Sequence, residues 1–500
     1  MDETLLRNKI DTLYDNNEYE EGVKLLKEEE AKGNDDSWVL CNIGWGLGRM
    51  AKNTEALEYL RRVEVREEQE DEEWLNSEIG WNLGILGKTK EALFYLKTAK
   101  ASGRDDIWIN SEIGWNLGKL EKYEEALFFL KQAEAMGRDD YWINCEFGWD
   151  LENLERFDED LKYFNVAKAL KSGDLWLDSQ IAWIYGKTEK YEKALELFKD
   201  LKKRGRDDIW INSQIAWCLG KLKNHDEALK ILLDLHKHTE DDIWINNEIA
   251  WNYSRKGENK KAVQYLKKSE KLGLNDYWIN TELGCNYGRL RKYKTALKYL
   301  LTAEKMLDGE PSAWLNREIG WNYGRINKSE TALKYLLTAE RQEELDDWLA
   351  TEIGWNYDKI DEYEKALKYL FKARELGRDD DWINSEIGWA YSSMGEYDKA
   401  LEYLLTAKEQ GRNDDWLYSE IAWNYKEKKL YEKALENFMK SEELGKDSVW
   451  FYENTAICYE ALKNYDKAYE YYKKAYDKEN AEDLGNKVKE LEEKIKASKL

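Results

Sequence analysis

The chain has one proline among its 500 residues. That excludes proline-rich linkers and permits nearly uninterrupted helix. Histidine numbers three, His225, His236 and His238, all in or beside one helical stretch. His236 and His238 stand two apart, a spacing that points in different directions on a helix. All three are expected on a solvated surface and not as metal ligands. Cysteine numbers five (Cys41, Cys145, Cys218, Cys285 and Cys458), an odd count without CxxC spacing. Neither a disulfide framework nor a zinc site follows, and reduced thiols of a cytoplasmic protein are expected. No stretch approaches about 18 consecutive apolar residues, so no membrane partner is expected. The first residues, MDETLLRNKI, lack the apolar core of a secretion signal.

A basic excess is also missing. Lys and Arg total 78 against 102 Asp and Glu, a net charge of −24. General nucleic-acid binding is thereby disfavoured, because phosphate contact needs a basic surface. Attraction to basic partners is favoured. P-loop, GxSxG and HExxH motifs are absent. Carboxylates abound, but as a repeated ladder and not as the single asymmetric pair of a general acid and base. No enzyme activity, catalytic residue or cofactor is expected.

What the chain has is repetition. The stretch Asp106 to Gly137 recurs in near-copies, marked by Trp38, Trp74, Trp108, Trp142, Trp176, Trp210, Trp244, Trp278, Trp314, Trp348, Trp382, Trp416 and Trp450. The interval is 34 residues ten times and 36 residues twice. A fixed period in this range marks a solenoid of helix–turn–helix units. Thirteen repeats span 37–482. Residues 1–36 read as a degenerate N-terminal cap and 483–500 as a C-terminal capping helix, since terminal repeats need a polar outer face. The longer intervals place extra residues at Val65–Glu70 and at Leu307–Ser312, the latter containing Pro311.

Within a repeat, helix A is expected over about Ile107–Leu120 with Asp105 or Asp106 as N-cap, and helix B over about Glu124–Met136. Gly137 supplies the left-handed stop. Tyr123, Ala126, Leu127, Leu130 and Ala133 make the buried stripe of helix B. Gly114, then Ala126, Leu130 and Ala133, carry the small-residue helix A and the Ala-x3-large-x2-Ala helix B of the tetratricopeptide repeat family, which the whole chain resembles. The resemblance implies an all-α right-handed superhelix that binds proteins or peptides in a concave groove lined by helix A. Two positions depart from the family. Asn110 takes the usual helix A Trp slot, and Arg138 takes the usual Pro slot, which leaves the turn between repeats less fixed.

All 24 tryptophans fall in two columns. The second comprises Trp45, Trp81, Trp115, Trp149, Trp183, Trp217, Trp251, Trp321, Trp355, Trp389 and Trp423, with Cys285 and Ile457 in the remaining places. At about 100° per residue, Trp108, Glu112, Trp115 and Lys119 fall on one face, while Ile109, Ile113, Leu117 and Leu120 fall on another. An acidic row therefore runs between the tryptophans: Glu78, Glu112, Glu146, Glu248, Glu282, Glu318, Glu352, Glu386 and Glu420, with Gln180 and Gln214 as neutral gaps. Beside it runs a basic row, Arg49, Lys119, Lys187, Lys221, Arg255, Arg289, Arg325 and Lys359. A glycine column (Gly48, Gly84, Gly118, Gly186, Gly220, Gly288, Gly324) is expected to give room to a bulky neighbour.

The candidate partner-binding set is both Trp columns from Trp81 to Trp389, with Glu112, Glu146, Glu248, Glu282, Glu318, Glu352 and Glu386. The expected activity is a non-enzymatic scaffold that holds a protein or peptide with a basic segment, with self-association as a further option. Three alternatives stay open, one of them an aromatic groove that stacks a sugar. The tryptophans could pack internally beside solvated charge ladders, or the chain could act as an acidic inhibitor of an enzyme's basic nucleic-acid channel.

Overall fold

The computed structural model describes residues 3–66 and 71–498. The junction expected at Val65–Glu70 therefore lies partly outside the described residues. Twenty-nine α-helices and no strand occur among them. The chain divides into two compact units, Met1–Leu235 and His236–Leu500. Each is a stack of helix pairs.

The helix Ile107–Lys119 shows how a helix A forms. Asp106 is its N-cap, with the side chain accepting from the Ile109 amide at 2.8 Å. Asp105 accepts from Asn110 Nδ2 at 2.8 Å, so the acidic pair and the buried Asn lock one another. Asn110 thus uses the family's Trp slot for a polar clasp. Helix B, Tyr123–Ala135, follows after a tight turn. Glu121 takes a left-handed conformation there (φ 61°), as do residues in the same place in other repeats. Such a conformation costs a non-glycine residue about 1–2 kcal/mol. The Lys122 amide closes the turn onto the Leu117 carbonyl at 3.0 Å. Helix B ends at Gly137 (φ 103°), where the Arg138 amide reaches the Ala133 carbonyl at 3.0 Å.

Ile109, Ile113, Leu117, Ala126, Leu127, Leu130 and Ala133 are all buried. A Cβ on Gly114 would meet Leu130 at 2.8 Å, so the small residue sets how closely helices A and B approach. Each helix A touches its own helix B, and helices A of successive repeats within a unit also meet. That last contact brings the Trp and Glu columns of neighbouring repeats side by side. At the N-terminal side, Glu3–Asp15 and Tyr19–Ala31 pair, and Tyr14 donates to the Asn42 carbonyl at 2.8 Å. The helix Glu482–Ser498 buries Leu484 and Leu491 against the cluster that holds Tyr472 and Ala475.

Two expectations need correction. The turn between repeats is not loose where Arg replaces Pro. Arg138 Nε donates to Asp140 Oδ2 at 3.0 Å, and its guanidinium lies 4.3 Å from the Trp142 ring centroid. Arg104, Arg206, Arg378 and Arg412 repeat this arrangement on Trp108, Trp210, Trp382 and Trp416. His236 is not solvated: it is buried, with Nε2 2.9 Å from Lys268 Nζ and its ring edge-on to Tyr265.

Candidate functional site

No tryptophan of either column belongs to the buried core. Trp149, Trp176, Trp244, Trp314 and Trp450 keep 39–45% of their surface, and the others are half-buried. The aliphatic face of the same helices is closed, with Ile109 and Ile113 at 0%. The two-faced helix A read from the sequence is thus present.

The buried part of each second-column tryptophan rests on the repeat before it. A Cβ on Gly48 would come within 3.0 Å of Trp81 Cζ3, and one on Gly288 within 3.0 Å of Trp321 Cζ3. On Gly186 the distance to Trp217 Cζ3 would be 2.5 Å. The glycine column is bare because the next repeat's tryptophan ring and buried Asn amide occupy that volume, and at Gly118 the Asp150 carboxylate does. Helix B of the preceding repeat supplies a second contact: Tyr191 with Trp217, Tyr293 with Trp321 and Tyr397 with Trp423 meet edge-to-face at 5.6–5.8 Å. Trp389 and Trp416 lie 6.2 Å apart. Each ring is therefore part structural wedge and part exposed surface.

The acidic row is not a solvated ladder. Glu78, Glu352 and Glu420 are 3%, 6% and 6% exposed. Burial pushes the carboxyls of Glu112, Glu146, Glu386 and Glu420 up to about 7. Burial also raises those of Glu78, Glu282, Glu318 and Glu352. The opposing pull in several of them comes from the basic row. Arg325 Nη2 stands 2.7 Å from Glu352 Oε1, with its guanidinium 5.8 Å from the Trp321 ring and 4.4 Å from that of Trp355. Arg49 makes the same set with Glu78 at 3.5 Å, Trp45 at 5.6 Å and Trp81 at 4.5 Å. Arg255 reaches Glu282 at 3.7 Å. A basic residue of one repeat thus sits between its own Trp and the next Trp, over the next Glu.

Two cavities open on this face. One of about 310 Å³ is lined by Trp115, Lys119, Cys145, Glu146, Trp149 and Trp176, with Lys119 Nζ folded 3.4 Å over Trp115. The other, about 370 Å³, lies at Trp389, Glu420, Trp423 and Trp450. Among the described residues no group of three or more His, Cys, Asp or Glu side chains is placed to hold a metal.

Sequence reasoning missed two columns. One is Asn82, Asn116, Asn286, Asn322, Asn356 and Asn424, each fully buried and donating to the carbonyl four residues back. Asp150 takes this place in its repeat, and burial pushes its carboxyl up to about 8. The other is the arginine column of Arg104 and Arg138, whose period was visible but whose stacking on the first-column tryptophans was not.

One tetratricopeptide repeat profile matches residues 385–415 and a second matches residues 451–477. Among solved structures, the APC/C hetero-tetramer Cut9–Hcn1 shares 13% identity, covering 92% of this chain and 96% of that one, with a TM-score of 0.42. A tetratricopeptide repeat protein from Parabacteroides merdae shares 15%, covering 50% and 98%, with a TM-score of 0.42. YrrB, described as a TPR protein with an unusual peptide-binding site, shares 20%, covering 38% and 97%, with a TM-score of 0.33. No curated protein matches the sequence. None of the described helices is long and apolar enough to cross a membrane. The matched segments carry the same spacing of small and large residues as Gly114, Ala126, Leu130 and Ala133, and in these segments the chain is similar to the tetratricopeptide repeat family.

Proposed function

We propose that the chain is a non-enzymatic scaffold that holds a protein or peptide segment with basic residues against the Trp–Glu face of helix A. The observation that carries this reading is the exposure of tryptophan repeat after repeat over carboxylates that lie below the surface. Runs of exposed apolar surface mark interaction sites more often than they persist without purpose. Tryptophan is also the side chain best suited to anchor a partner or to face a cation. In this reading residues 1–36 and the last helix cover the open cores of the terminal repeats.

The test is a pair of variants, Trp321→Ala and Trp355→Ala, measured for melting and for binding of a short arginine-rich peptide. Because each ring is only half-buried, melting should fall moderately, by less than the ~3–5 kcal/mol of a fully buried aromatic. Binding should fall by about tenfold or more, in the range of an interface anchor. Unchanged binding by the folded variants would contradict the reading.

A further inference from the structure

Between Trp45 and Trp81 and between Trp321 and Trp355 the chain fills the space with its own cation. Arg49 and Arg325 do so directly, each reaching a carboxylate of the next repeat. The basic column has no basic residue at Ile85, at Asn153 or, after Lys359, from Ser393 onward, and Ser393 stands where Arg325 and Lys359 stand two repeats and one repeat earlier. The residue before it, Ser392, stands in the glycine column, as Glu152, Ser254 and Asp358 do in other repeats, and lines the cavity with Trp423.

The consequence is a cavity of about 370 Å³ lined by Trp389, Ser393, Glu420, Trp423, Lys446 and Trp450. That volume falls within the range of small-ligand sites. Glu420 is 6% exposed and lines the cavity, with Lys446 as the opposing charge. Ser392 is 2% exposed, and its hydroxyl has no hydrogen-bond partner. Lys446 lines the cavity but pairs with Asp415 at 3.4 Å. Its counterparts Arg378 and Arg412 stack on Trp382 and Trp416, whereas Trp450 stays 40% exposed. Three ring surfaces, a buried carboxylate and a short side chain in place of an arginine thus converge on one space.

We propose that this cavity takes the guanidinium of a partner's arginine, seated as Arg325 is seated between Trp321, Trp355 and Glu352. The occupant's chemistry is read from the chain's own template. A guanidinium is flat enough to lie against two indoles and forks onto a carboxylate, which an ammonium does not. Charge complementarity agrees, with one buried carboxyl facing the cavity of a chain whose net charge is −24. The inference rests on helix A being the binding face and adds a specific anchor point to it.

The experiment uses the full chain and a labelled Gly-Arg-Gly peptide followed by fluorescence anisotropy, with a citrulline version and tetramethylammonium as competitors. The arginine peptide should bind, and the neutral citrulline peptide should bind about tenfold more weakly or worse. Ser393→Arg should fill the cavity from within, keep or raise the melting temperature, and abolish binding. Glu420→Gln should weaken binding about tenfold, whereas Glu364→Gln on exposed helix B should leave it unchanged. Two results overturn the proposal: a folded Ser393→Arg variant that binds the arginine peptide as the parent does, or tetramethylammonium displacing a probe that arginine cannot. A longer arginine-rich peptide separates this inference from the wider one. If that peptide loses affinity with Trp321→Ala and Trp355→Ala but not with Ser393→Arg, the binding face stands and the anchor falls. If neither peptide binds, both fall.

Discussion

Arg325 of one repeat reaches Glu352 of the next at 2.7 Å and roofs a carboxylate that is 6% exposed. Burial raises that carboxyl and Arg325 holds it down. Removing the guanidinium should therefore strand a buried charge. Arg325→Ala should cost about 2 kcal/mol by denaturant unfolding at mildly alkaline pH. The loss should shrink as pH falls, because Glu352, raised by burial, takes up its proton above the ordinary carboxylate range. Glu352→Gln should cost less, since Gln180 and Gln214 occupy that column naturally. A loss in Arg325→Ala that stays the same as pH falls would show that the ion pair contributes nothing.

Asp150 replaces the asparagine of its column, and burial lifts its carboxyl to about 8. The folded state therefore binds a proton that the unfolded state releases near the ordinary carboxylate range. Stability from this group is full below that ordinary range and is lost as pH rises through about 8. Asp150→Asn restores the column residue and should remove that part of the alkaline decline, as seen in melts across pH. A decline of the same size in the variant would place its source elsewhere.

Gly186→Ala would set a methyl 2.5 Å from Trp217 Cζ3. Helix propensity should gain about 1 kcal/mol. Overpacking should cost about 1–3 kcal/mol, so the variant is expected to be destabilised on balance. Pairing it with Trp217→Cys should cost less than the sum of the two changes. The chain already contains such a pair, Ser254 in the glycine column followed one repeat on by Cys285. Strict additivity would mean that glycine and ring are not coupled.

Glu420, raised to about 7 by burial with Lys446 as the opposing charge, should give arginine binding a pH dependence. Affinity should rise as pH rises through about 7, because only the ionised carboxylate attracts a cation. Binding should also release protons, measurable as a buffer-dependent heat. A flat profile would exclude Glu420 as the anion.

The repeat, its helices and the bare glycines were legible because the period is fixed and glycine inside a helix needs a neighbour to explain it. The azimuth of Glu112 was legible too, but its burial was not. A helical wheel places a side chain on a face, whereas the repeat alongside decides how much water reaches it. Arg138 misled for a related reason. Its slot suggested a loose turn, and the fixing contacts to Asp140 and Trp142 need the folded geometry to bring the Trp ring beneath the guanidinium. The buried Asn116 column went unread because a lone polar residue in a helix has no sequence mark of burial. Ser393 follows the last basic residue of the row, Lys359, and its place drew the proposed anchor once Arg325 showed what fills it two repeats earlier.

On the proposed reading, basic partners engage the Trp–Glu face and not the outer charged surface. The most direct measurement compares two double variants in binding a short arginine-rich peptide, at a pH well above 7 so that both remove the same charge. Glu386→Gln with Glu420→Gln alters the face, and Glu364→Gln with Glu402→Gln alters exposed helix B positions. The face pair should lose at least about tenfold in affinity while the outer pair stays near the parent. Equal losses from both pairs would contradict the claim and assign binding to net charge alone.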